Sequence, residues 1–144
     1  MTDMDLAGPP PGRDWHLIAD GPFERLVGGM YWTAEDLDPR EPIRVGFRVL
    51  AQHCNPNNAC HGGMIATFLD MVLGMAIDTA TKAGGPTMTL SIDYLAAALP
   101  GEWIESRTRL VHASYKSGYC DTIVSGPRGP VARANGMWRL VRAK

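Results

Sequence analysis

Ile43, Val45, Phe47 and Val49 alternate with Arg44, Gly46 and Arg48. Apolar residues at every second position give a strand one apolar face. Past a polar loop, Gln52 to Cys60, the pattern changes. Met64, Ile65, Phe68, Leu69, Met71, Val72, Leu73, Met75, Ala76 and Ile77 cover nearly every side of a helix over residues 62–82. Such a helix has about 20 residues, is roughly 30 Å long, and is buried if apolar all round. Lys82-Ala-Gly-Gly-Pro86 supplies basic, glycine and proline stop signals. Period two then returns. Thr87–Leu95, Trp103–His112, Gly118–Ser125 and Val131–Val141 read as strands, with turns at Pro100-Gly101 and Gly126-Pro-Arg-Gly129.

The upstream segment is read differently. Gly8-Pro-Pro-Pro-Gly12 suggests a loose leader, and Asp14 caps a short helix holding Trp15, Leu17 and Ile18 that Gly21-Pro22 breaks. The expected organisation is a leader and short helix over residues 1–20 and one domain over 21–144, with no repeat or linker. Strand, long buried helix, then four strands on short turns predicts an α+β fold. It is an antiparallel β-sheet wrapped around one long central helix.

The 144 residues, 45% hydrophobic and 20% charged, suit one folded domain with a sizeable core. A net charge of −1 provides no strong field for nucleic acid or an acidic membrane. The longest apolar run, Met64 to Ile77, is short for a membrane span and is interrupted by Asp70 and Gly74. The acidic start Met-Thr-Asp-Met-Asp has no signal-peptide character. Cys54, Cys60 and Cys120 are odd in number, which suggests reduced thiols and a cytoplasmic setting.

Asp70 is the residue most in need of explanation. An ionised carboxylate among apolar side chains is costly unless paired or used. It is either a polar group at a helix edge or a general base or nucleophile in a dry pocket. His61-Gly62-Gly63 stands where the helix begins. First-turn N–H groups lack internal partners and carry partial positive charge. Two glycines leave them open to a ligand oxygen, though they equally permit tight backbone packing. His61 and Asp70 are nine residues apart, about 13.5 Å along the helix and about 180° around it. One helix cannot bring both to one atom. An antiparallel two-fold pairing of two such helices would, so the site requires a homodimer at least.

His53, Cys54, Cys60 and His61 invite a zinc reading, but their spacing is not of the CxxC type and no metal is expected. Lys116, beside Gly118, suits a phosphate or a solvated turn. The chain has no phosphate loop, nucleophile elbow or dinucleotide fingerprint.

The run Asn55-Pro-Asn-Asn-Ala-Cys-His61-Gly62-Gly63-Met-Ile-Ala-Thr-Phe-Leu-Asp70 resembles the hotdog-fold acyl-CoA thioesterases of the PaaI-like type. That family places Asn before a turn, then His-Gly-Gly, then an acidic residue nine positions after the His. Leu90-Ser-Ile-Asp-Tyr-Leu95 and Val131-Ala-Arg-Ala-Asn-Gly136 also resemble its strands, so the likeness covers residues 21–142. It departs at Asn58, where the family usually has Gly, and at Tyr115-Lys116-Ser117, a loose match to its basic turn.

The resemblance implies a catalytic set of Asp70, Gly62, His61 and Asn55. The Gly62 N–H would polarise the thioester carbonyl. Asp70 of the partner subunit would activate water or attack. Asn55 and His61 would orient water and acyl oxygen. Gly63, Thr87 and Lys116 would bind substrate, Lys116 at the nucleotide end of coenzyme A. No cofactor is implied beyond coenzyme A as part of the substrate. The expected activity is hydrolysis of an acyl- or aryl-CoA by a homodimer or homotetramer. The alternatives are a non-catalytic acyl-CoA or lipid-binding hotdog module, a hotdog dehydratase or hydratase, and a zinc module. The hotdog dehydratase motifs, Gly-Asp-x-Asn-Pro-x-His or a His with a distant Glu, do not occur.

Overall fold

The computed structural model describes residues 8–142. Seven strands form one antiparallel sheet: β1 His16–Leu17, β2 Met30–Thr33, β3 Arg44–Arg48, β4 Thr87–Tyr94, β5 Trp103–Ala113, β6 Ser117–Gly126 and β7 Gly129–Arg139. Their spatial order is β1-β2-β3-β5-β6-β7-β4. Helix α1 covers Pro22–Val27 and α2 covers Gly62–Thr81. The sheet curls around α2, as the hotdog reading expects.

Met64, Ile65, Phe68, Leu69, Val72, Leu73, Ala76 and Ile77 form the buried face of α2. They meet Phe47, Ile104, Cys120, Val124, Ala134 and Trp138 of the sheet in one core. The i, i+3, i+4 spacing of these residues is what lets one side of the helix enter the core. The opposite side carries Ala66, Thr67, Asp70, Met71, Gly74 and Met75, all only partly covered. The helix is therefore not buried all round, and Asp70 is not enclosed within one chain. By length and composition α2 is apolar enough to cross a membrane, but one face is committed to the sheet. Lys82 closes it in the left-handed region, at φ 58.

The short helix expected over Trp15–Ile18 is instead strand β1. His16 pairs with Trp32 and Leu17 with Tyr31, and Ile18 N–H donates to Met30 O. Gly21-Pro22 starts helix α1 rather than ending one. Gly21 is its N-cap and Pro22 occupies the first turn, where its missing N–H costs nothing and its fixed φ suits a helix. The leader is held from Gly8 onward. Arg48 donates to Gly8 O from Nε and Nη2 at 3.1 and 2.9 Å. Trp15 packs edge-on to Trp103, with ring centroids 5.1 Å apart. Residues 1–7, the rest of the expected leader, lie outside the described part.

Strand β4 is one of the sheet's two edges, opposite β1, and lies beside the half-covered side of α2. Met88 and Tyr94 are each 56% exposed. A long edge strand with exposed apolar side chains invites pairing with another strand.

Candidate active site

The loop before α2 is built by its own side chains. Asn55 Oδ1 accepts from the N–H groups of Asn57 at 2.9 Å and Ala59 at 3.3 Å. Asn58 has φ 59, a left-handed conformation that Asn adopts more readily than most residues. Asn58 therefore fills the place where the family usually has Gly. The loop closes where His61 N–H donates to His53 O at 2.8 Å. His53 is itself fixed: Nδ1 accepts from Leu50 N–H at 3.0 Å, and Nε2–H donates to Val27 O at 2.9 Å.

His61 is the N-cap of α2. Its Nδ1 accepts from Gly63 N–H at 2.8 Å, satisfying one donor of the first turn. The Gly62 N–H has no partner among the described residues. Gly62 O is occupied, accepting from the Tyr94 hydroxyl at 2.8 Å. The positive end of α2 thus presents one free N–H beside a capped one. Tyr94 is the residue that sequence reasoning missed. It sits in a readable strand, but no local spacing ties it to a helix start 32 residues upstream.

Asp70 lies two and a half turns further along the helix, on its open side. Oδ1 accepts from the Thr87 hydroxyl at 2.7 Å. A cavity of about 430 Å³ adjoins the pair, walled by Met71, Gly74, Met75 and Trp138 and rimmed by Asp20, Glu24 and Asp78. Thr87 and Asp70 are thus brought together, while Gly62 and His61 lie at the N-terminal end of the helix, His61 about 180° around it from Asp70. Asn55 shapes the loop through its side-chain oxygen. Lys116 is exposed in the turn between β5 and β6, where its carbonyl accepts from Leu140 N–H at 2.8 Å. Next to that turn Gly118 packs on Ile77, near the C-terminal end of α2. Within one chain Lys116 is therefore remote from His61.

Other nucleophiles are poorly placed. Burial, seconded by Cys54, pushes the Cys60 thiol up to about 12. Burial, seconded by Asp121, does the same to Cys120. Neither is a thiolate at neutral pH. Among the described residues no group of three His, Cys, Asp or Glu side chains is placed to hold a metal.

The thioesterase superfamily profile matches residues 57–128, half of the chain, including His61, Gly62, Asp70 and Thr87. The chain belongs to the thioesterase superfamily. A Pseudomonas aeruginosa protein carrying a provisional esterase name is 28% identical over 126 residues, 86% of this chain and 92% of that protein. Zebrafish thioesterase superfamily member 2 superimposes with a TM-score of 0.75 at 25% identity, over 85% of this chain and 90% of that one. A mutant form of the Thermus thermophilus phenylacetic acid degradation protein PaaI shares the fold, with a TM-score of 0.71 at 23% identity over 84% and 100%. A Streptococcus pneumoniae thioesterase-type protein solved with coenzyme A does so at 0.70 and 20% identity, over 78% and 88%. The hotdog fold of this thioesterase superfamily chain is thereby established.

Proposed function

We propose that this protein hydrolyses an acyl- or aryl-CoA thioester to the free acid and coenzyme A, at a site shared by two subunits. The observation that carries the reading is the Asp70 carboxylate, held by the Thr87 hydroxyl at 2.7 Å on the side of α2 that its own sheet leaves uncovered. Superfamily membership supplies the reaction class, and a pneumococcal relative solved with coenzyme A supports the leaving group.

The chain supplies the other half of the chemistry at the helix start. Asp70 meets β4 at Thr87, the first residue of that strand, and Gly62 meets it at Tyr94, the last. Pairing β4 with its own copy, antiparallel about a two-fold axis, sets one subunit's Thr87 end beside the other's Tyr94 end. Gly62 then faces Asp70 of the partner subunit. The thioester oxygen accepts from the Gly62 N–H, which stabilises the negative charge that develops on attack. One such donor is worth about 3–4 kcal/mol. Asp70 of the partner subunit takes a proton from the attacking water, or itself attacks the carbonyl. The His61 Nε2 edge orients the acyl oxygen or water, and Lys116 meets the nucleotide end of coenzyme A. No metal or further cofactor takes part.

Thiol release from short-chain, long-chain and aryl acyl-CoAs tests this, with wild type and Asp70→Asn side by side. Wild type turns over at least one thioester, and Asp70→Asn loses about 10²–10⁴-fold with folding and assembly unchanged. Tight acyl-CoA binding with no turnover by wild type would make the protein a binding module instead.

A further inference from the structure

Two cysteines flank the loop that precedes α2, and they face each other. Cys54 and Cys60 form an isolated antiparallel bridge. The hydrogen bonds that frame it run from His61 N–H to His53 O and from Asn55 N–H to Ala59 O. They belong to the residues on either side, so Cys54 and Cys60 are the non-hydrogen-bonded pair of the ladder. In that position opposed Cα atoms come to about 4.5 Å and their side chains leave the same face. A disulfide spans Cα separations of about 4.4–6.8 Å. Both cysteines are reduced here.

We infer that Cys54 and Cys60 form a reversible intrachain disulfide by exchange with a low-molecular-weight disulfide such as oxidised glutathione. The two sulfurs are unequal in access. Cys54 is half-buried and lines a cavity of about 440 Å³ with Leu26, Gln52, His61 and Thr67. Cys60 is buried, and that burial keeps its thiol protonated. Cys54 is therefore the attacking group. Its thiolate displaces one glutathione thiolate, which takes a proton from water, and leaves glutathione on Cys54. The Cys60 sulfur gives its proton to solvent, attacks the Cys54 Sγ and expels the second glutathione. Two protein thiols are oxidised and one glutathione disulfide is reduced to two thiols. The Sγ–H bonds now made to Leu50 O and His61 O are given up. The bridge register already holds the backbone in place, so closure leaves the path into His61 unchanged.

Trypsin leaves both residues in one fragment, Val49–Lys82, and Cys120 in another, Ser117–Arg128. The native protein is incubated with oxidised glutathione, quenched with acid, alkylated in denaturant and digested. Val49–Lys82 is expected unalkylated and lighter by two hydrogens, recovering both alkylation sites after dithiothreitol, while Ser117–Arg128 is alkylated throughout. Cys60→Ser is expected to retain glutathione on Cys54. Full alkylation of Val49–Lys82, a stable glutathione adduct in wild type, or a link to a second chain would overturn the inference.

Discussion

Asp70 and Thr87 are the residues on which the proposed chemistry turns. The hydroxyl at 2.7 Å fixes the carboxylate against the helix and leaves its second oxygen for water. Hydrogen bonds to charged groups contribute up to about 1.5–3 kcal/mol to stability, so Thr87→Ala is expected to cost at most about that much at this exposed pair and, with the carboxylate no longer fixed, to lower turnover of the protein that remains folded. Unchanged turnover would remove Thr87 from the site. A second residue pair concerns stability alone. Arg44 and Glu41 are buried side chains (1% and 2% exposed) joined from Nε to Oε2 at 3.1 Å, and Arg44 Nη1 has no hydrogen-bond partner among the described residues. Removing Glu41 leaves the buried Arg44 with only the longer-range attraction of Glu105 and Asp38, and breaking a buried pair costs up to about 3–5 kcal/mol. Glu41→Ala should therefore shift urea unfolding strongly; a shift under about 1 kcal/mol would show that Arg44 does not depend on Glu41 for its compensation.

Among the elements, the loop from Leu95 to Glu102 depends on one carboxylate. Glu102 accepts from Arg128 Nε at 2.8 Å and from Leu99 N–H at 3.0 Å, and Arg128 also donates to Ala97 O at 2.9 Å. Arg128 foremost, against the opposing effect of partial burial, holds the Glu102 carboxyl below the usual carboxylate range, with help from Leu99. A depressed folded-state pKa stabilises the fold above the ordinary glutamate value of about 4.3, and that stability is lost as pH falls through the lower folded value. Glu102→Gln is expected to unfold more readily than wild type at pH 7, the gap closing as acid protonates Glu102; a gap independent of pH would contradict this. The elements legible in the sequence are those with a sustained period: β3, β4 to β7 and α2. Strands β1 and β2 have two and four residues, too few to repeat a pattern, and they exist because they pair with each other and with β3. Pro22 reads as a stop because proline breaks a helix interior, yet it suits a first turn. The motif residues from Asn55 to Asp70 can be located from spacing, whereas the reach of Tyr94 to Gly62 is a tertiary contact that no local pattern encodes.

For the whole molecule, one chain holds the pieces of the site well apart along α2, at its start and beyond its second turn, and a two-fold pairing of β4 edges is proposed to bring them together. The sequence suggests a dry pocket for Asp70; within one chain it is half-covered, and the proposed two-fold pairing would supply the enclosure. Gly62→Pro deletes the helix-start N–H at the position where proline is best tolerated, and His61, at φ −61 and ψ 138, already has the extended backbone that proline requires before it. The most direct test is therefore complementation. Asp70→Asn and Gly62→Pro chains are each expected to be inactive alone in thiol release from acyl-CoA. Co-expressed in equal amounts, they assemble mixed dimers in half of cases, each with one intact site of two, so about a quarter of wild-type turnover returns. No recovery in mixed dimers, with both variants folded and assembled, would contradict a site shared between subunits.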